Sequence, residues 1–219
     1  QRREATSLRY KADLKGADGM VRGLYQDCCR GRPDLCAATQ MSNGAQAEEE
    51  AMAGAVYEVL FICTGNSARS IMAEVLLREL GGARFNVHSA GTRPYSELNA
   101  DAVQLLSAKG HDVSHLRAKN VAEFQTRGAP QMDFVFTVCD RAANEECPAW
   151  PGQPISAHWG QPDPVRAEGT DAERALAFRQ VYGALRNRIS AFVALPLHRL
   201  DRRGIQYELD ELAREKETT

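Results

Sequence analysis

The chain reads as α/β: an open parallel four-stranded sheet with helices on both faces. Three observations predict it. Short apolar runs of strand length alternate with helical patterns through residues 56–197, the rhythm of a parallel sheet covered by crossover helices. The bulky run at 59–62 stops at Cys63 and a Gly65-Asn66 turn, and a helical pattern opens at Ser70. Further on, Phe178, Val181, Tyr182, Leu185, Ile189 and Phe192 fall on one stripe of a helix over 171–193.

The elements follow in order. The first strand ends at Cys63, and the helix after it runs to Leu80. Residues 84–89 form a second strand, and Gly91-Thr-Arg-Pro-Tyr95 turns the chain. A helix over 99–109 carries Ala102, Val103, Leu105 and Leu106, with Gly110 as its natural stop. Residues 133–139 are the clearest strand after the first, and 155–158 are a short fourth. A short helix lies between Cys139 and Cys147. Active sites of such sheets lie at the C-terminal ends of the strands. Cys63 and Cys139 both end strands, so they share that rim.

The stretch 63–70 carries the chemistry. Strand, polar loop and helix aim several N–H groups and a helix N-terminus at one point, which attracts an anion. A free thiol has a pKa of about 8.5, and a helix N-terminus with a nearby cation lowers it to roughly 3.5–7.5. The loop Thr64, Gly65, Asn66, Ser67, Ala68, Arg69 and Ser70 can hold a tetrahedral oxyanion over the Cys63 thiolate, with Arg69 as a fork. Gly65 lets backbone approach the anion, and Asn66 tolerates a left-handed conformation. Ser70 either caps the helix or donates to the sulfur. A buried structural cysteine is the competing reading, and the Gly-Asn-Ser-x-Arg-Ser pattern inside the loop argues against it.

Asp163 sits between two prolines in Gln161-Pro-Asp-Pro164. A carboxyl group held over the oxyanion can protonate a leaving oxygen; the plainer alternative is an ordinary Asp-Pro turn. His88 and His158 lie beside strand ends and read as packed, hydrogen-bonded residues, since no spacing suits zinc. No metal is assigned to this domain. Trp150 and Trp159 read as core or rim packing.

Composition sets the outer bounds. The chain has 219 residues, 43% of them apolar, and a net charge of −2, which points to no partner. No apolar run reaches about 18 residues, so no membrane span is expected. The N-terminal Gln1-Arg-Arg has no hydrophobic stretch behind it, so it is not a signal peptide, and without an initiator Met we expect the chain to start inside a longer one. The six cysteines then read as metal or redox thiols rather than a disulfide framework, and a cytoplasmic location is expected.

Cys28, Cys29 and Cys36 fall within nine residues, with a Gly-Arg-Pro turn between the pair and the third. They either bind a soft three-coordinate ion such as arsenite or are incidental surface cysteines. Residues 37–55 are small, polar and acidic and read as a flexible linker. At the far end, 198–219 form an amphipathic C-terminal helix that packs on the domain or on a partner, and a homodimer is a separate expectation for the chain.

Residues 57–197 resemble the low-molecular-weight tyrosine phosphatase superfamily and, within it, the arsenate reductases. The matching pieces are Phe61-Ile-Cys-Thr-Gly-Asn-Ser-Ala-Arg-Ser70, His88-Ser-Ala-Gly-Thr92 and His158-Trp-Gly-Gln-Pro-Asp-Pro164. The phosphatases follow Asp-Pro with a tyrosine pair; here Val165-Arg166 follows, which fits the arsenate branch. The resemblance implies that Cys63 attacks arsenate while Asp163 assists departure of an oxygen. Cys139 then releases arsenite as a Cys63–Cys139 disulfide forms, and Cys147 takes over as a Cys139–Cys147 disulfide for an external reductant. No tightly bound cofactor is implied. The Cys139-to-Cys147 spacing is one residue longer than the thioredoxin-coupled pattern, which leaves thioredoxin or glutaredoxin/glutathione open as the reductant. Ala68 replaces a second loop cysteine common in those enzymes. Buried structural thiols are the alternative reading of Cys139 and Cys147.

Residues 1–36 resemble the end of an arsenic-responsive winged-helix repressor, with Cys28, Cys29 and Cys36 as its inducer site. The recognition helix is not in this sequence, so DNA is a partner only through a repressor portion mostly outside it. Eight Lys or Arg against five Asp or Glu in 1–36 is too small a surplus to argue DNA affinity. The expected whole is an arsenate reductase tethered to an arsenite-sensing repressor segment. The competing functions are a tyrosine phosphatase and an arsenite-sensing regulatory protein whose enzyme half only senses.

Overall fold

Strand β1 (Tyr57–Cys63) is the axis of the fold: Val59, Leu60, Phe61 and Ile62 are fully buried. The computed structural model describes residues 55–144 and 150–214. The expected winged-helix remnant with Cys28, Cys29 and Cys36, the linker up to residue 54, and Cys147 lie outside the described residues.

Four parallel strands pair in the order β2-β1-β3-β4, with β2 at Phe85–Gly91, β3 at Phe134–Thr137 and β4 at Ile155–His158. The order reverses between β1 and β3. Right-handed crossovers require that the β1–β2 and β3–β4 connections leave toward opposite faces. A crevice therefore opens at the C-terminal ends of β1 and β3, the place where such sheets bind ligands.

Helix α1 (Arg69–Gly81) follows β1 and buries Ile71, Met72, Val75, Leu76 and Leu77. Helix α2 (Ala100–Ala108) is capped by Asn99, whose side chain accepts from the Ala102 N–H. Helix α3 (Asp140–Asn144) is a short piece directly after Cys139. Helix α4 (Asp171–Ala194) starts at a Thr170–Glu173 capping box and packs against α1. Its buried residues are the six of the sequence stripe. Phe192 from α4 meets Phe85, Phe134, Phe136 and Trp159, and Trp159 stacks on Phe136 at 3.9 Å. Burying each such aromatic contributes about 1.5–3 kcal/mol. Helix α5 (Arg202–Arg214) lies against β4 and α4 and buries Ile205 and Leu209. The tail thus covers part of its own domain. No helix among the described residues is long and apolar enough to cross a membrane.

Two strand limits differ from the sequence expectation. β3 ends at Thr137, not Cys139. The Val138 N–H still donates to Ile62, but Cys139 has already turned into α3, its sulfur accepting the Ala142 N–H at 3.4 Å. β2 runs on to Gly91, where an isolated bridge to Asn120 holds the chain. A Cβ there would meet the Thr64 carbonyl at 2.7 Å, so glycine permits the close approach of β2 to the loop.

Candidate active site

The loop after β1 is braced from outside by its neighbour. The N–H groups of Thr92, Arg93, Tyr95 and Asn99 donate to the carbonyls of Cys63, Thr64, Gly65 and Ser67. With its carbonyls engaged, the loop keeps its N–H groups as the donors for an anion. Asn66 takes the left-handed conformation expected of it, with φ of 44°. Gly65 has a further reason: a Cβ would meet the Tyr95 ring at 2.5 Å. Tyr95 itself is exposed at the mouth.

The Cys63 sulfur is buried and accepts the Asn66 N–H at 3.1 Å. Ser70 Oγ lies 2.9 Å from it. The side chain of Asn66 donates to Ser70 Oγ at 2.9 Å, so the Ser70 proton is free to point at the sulfur. Of the two expected roles, Ser70 takes the second: α1 starts after Ala68 without a side-chain cap.

Arg69 is engaged across the cavity mouth by the Asp163 loop. It donates to the Gln161 carbonyl at 3.0 Å and pairs with Asp163 at 3.1 Å. The expected lowering of the Cys63 pKa is not what this buried site produces. Burial pushes the thiol up, and Cys139 adds to that. The Ser70 and Asn66 hydrogen bonds pull down without overcoming it. The loop cation that should favour a thiolate is occupied by a carboxylate.

Asp163 is placed by both of its prolines and by β3. Gln161 N–H donates to the Val138 carbonyl, and Asp163 caps the short turn Pro164–Arg166. Arg166 approaches the same carboxylate at 3.7 Å. Cys139 is a free thiol, buried, with its sulfur 3.6 Å from Thr64 Oγ1. Cys63, Thr64, Gly65, Ser67, Ala68, Arg69, Cys139 and Asp163 all line one cavity of about 290 Å³. Tyr95, Asp140, Arg141, Gln161, Val165 and Arg166 also line it.

The structure thus brings together every predicted catalytic residue among those it describes. Sequence reasoning missed Tyr95 and Gln161, whose roles arise from backbone contacts that no local pattern signals. His88 is hydrogen-bonded as expected, to Glu58 at 2.8 Å. His158 is not a core residue. It is partly exposed and bridges Thr137 and Asp140 at the rim.

A sheet whose switch point holds a cysteine, an oxyanion loop, an arginine and an Asp-Pro loop defines the class. The model of the low molecular weight phosphotyrosine protein phosphatase family matches residues 58–204, and the chain belongs to that family. It is 37% identical over 134 residues to a protein of Halalkalibacterium halodurans named arsenate reductase, covering 61% of this chain and 93% of the relative. A Bacillus subtilis arsenate reductase is 36% identical with the same coverage. Among solved structures, one described as an arsenate reductase in oxidized state superimposes with a TM-score of 0.52. It is 26% identical and covers 64% of this chain and 98% of its own. The tyrosine phosphatase Wzb of Escherichia coli K30 shares the fold at a TM-score of 0.50 and 22% identity, covering 63% and 96%.

Proposed function

We propose that this protein reduces arsenate to arsenite with an external thiol reductant as the electron source. One observation carries the reading: a second free thiol, Cys139, lines the same cavity as Cys63, Arg69 and Asp163. Phosphate ester hydrolysis needs only the first thiol. The named arsenate reductases among its relatives support the same reading.

The order of events is the one the resemblance implies, and the shared cavity of Cys63, Arg69, Cys139 and Asp163 supports its first steps. An incoming oxyanion competes with Asp163 for Arg69. Asp163 stands over the same cavity, where a carboxyl group can hand a proton to a leaving oxygen. Cys63 bonds to arsenic as one oxygen leaves as water with a proton from Asp163. Cys139 then attacks the Cys63 sulfur. The S–S bond forms, the S–As bond breaks, and its electron pair stays on arsenic, which leaves as arsenic(III). Cys147 attacks Cys139 in turn, freeing Cys63 and leaving a disulfide for the external reductant. Arsenite release from purified protein, supplied with arsenate and either a thioredoxin or a glutaredoxin/glutathione system, tests this. Sustained turnover with one of them is expected; none with either would overturn the reading.

A second reading, aryl phosphate hydrolysis, is favoured by the exposed Tyr95 and Val165 at the mouth, which suit an aromatic leaving group. The cytoplasm, where thiol reductants are available, is the setting the chemistry fits. For the N-terminal segment, arsenite binding at Cys28, Cys29 and Cys36 would couple the product to a repressor portion and through it to DNA. Arsenite should then protect these thiols from alkylation, and absence of protection removes that coupling.

A further inference from the structure

Behind the oxyanion loop, away from the cavity, lies a closed ring of buried polar groups that the reaction sequence does not use. Glu74 on α1 and Lys119 are both buried, and Lys119 Nζ donates to Glu74 Oε2 at 3.0 Å. Ser89 on β2 donates to the same oxygen at 2.5 Å. Asn66 Nδ2 donates to Ser89 Oγ at 2.8 Å and to Ser70 Oγ. The backbone N–H of Lys119 then donates to Asn66 Oδ1 at 2.7 Å. Lys119 therefore holds both ends: its N–H fixes the oxygen of the Asn66 amide, and its ammonium fixes the carboxylate that anchors the nitrogen side.

The directions of the hydrogens follow. A carboxylate only accepts, so Ser89 must give its proton to Glu74 and can only accept from Asn66. Asn66 then spends its two N–H bonds on Ser89 and Ser70, and Ser70 is left with its proton for the Cys63 sulfur. We propose that the Glu74–Lys119 pair is a positioning device for Cys63, orienting the Asn66–Ser70 hydrogen bonds that favour the thiolate. Burial alone would push the Glu74 carboxyl up, yet Lys119, with Ser89 and Arg78, outweighs it and keeps the group ionised. The nearby charges are Arg78 and Arg117 on the Glu74 side, Glu123 on the Lys119 side, His115 and Asp112 beyond Arg78, and Arg69, Asp163 and Cys139 on the Cys63 side.

The proposal deepens the reading of Cys63 as nucleophile, and its test does not depend on arsenate. Glu74→Gln, Lys119→Met and the double variant are compared with the parent by the pH profile of Cys63 alkylation with iodoacetamide, read by peptide mass spectrometry, and by thermal melting. Either single change strands a buried charge and lowers Tm, and removing both charges relieves that cost. The double variant is therefore expected to recover most of the lost Tm while its alkylation midpoint stays shifted upward, with a several-fold lower rate at neutral pH. Ser70→Ala should give the same upward shift. If the double variant recovers Tm and the parent profile together, or if the profile never moves, the pair is structural only and the proposal is overturned. Loss of arsenate turnover with an unshifted profile would leave the nucleophile reading intact and remove this one.

Discussion

Cys63 and Cys139 face one cavity but are held in opposite ways. Cys63 ends a strand buried from Val59 onward. Its sulfur has two hydrogen-bond partners, and its loop is fixed by four backbone bonds from the 92–99 segment. Cys139 opens a five-residue helix whose neighbours Asp140 and Arg141 are exposed, and its sulfur takes one N–H and a long contact to Thr64. The difference fits the two tasks proposed for them. A nucleophile gains rate from groups already in place when charge develops. A relay thiol must leave its first position to meet the next sulfur, and a short helix with an exposed face opens at low cost.

That contrast can be broken by substitution. Cys63→Ser should remove turnover of both arsenate and an aryl phosphate by at least about 10⁴-fold, since no second group replaces the nucleophile. Cys139→Ala should separate the two reactions. Arsenate reduction stops before arsenite leaves, read as far less than one arsenite released per enzyme, while aryl phosphate hydrolysis stays near the parent rate. Unimpaired multiple turnover of arsenate by Cys139→Ala would refute the relay. Asp163→Asn should slow the first chemical step by about 10²–10⁴-fold, with the Cys63 loop intact.

The smallest expected effect concerns pH. The folded-state Glu74 pKa is depressed: burial opposes the shift, and Lys119, Ser89 and Arg78 override it. Its contribution is present above the unfolded value of about 4.3 and is lost as pH falls through the lower folded value. The Tm difference between the parent and Glu74→Gln should therefore narrow on acidification below the usual carboxylate range. A difference that widens there would contradict the ion pair.

The same contrast explains what the sequence made legible. The six buried residues of α4 and the four of β1 follow from periodicity and bulk, which act locally. Cys63, Arg69 and Asp163 were legible because short motifs carry them, and Asn66 because its side chain tolerates the left-handed turn. The Arg69–Asp163 pair joins residues far apart in the chain, and the burial that turns the Cys63 pKa upward comes from tertiary packing that no short motif records. Lys119 was not legible either. A lone lysine between loops carries no pattern, and only the packing of α1 and β2 gives it a carboxylate to meet.

The most direct test of the relay is a trapped intermediate. In a Cys147→Ser variant given arsenate without reductant, the electrons should stop at the first disulfide. Peptide mass spectrometry is predicted to find Cys63 joined to Cys139, with arsenite released in equal amount. Arsenite released with Cys63 and Cys139 both still free would contradict the account.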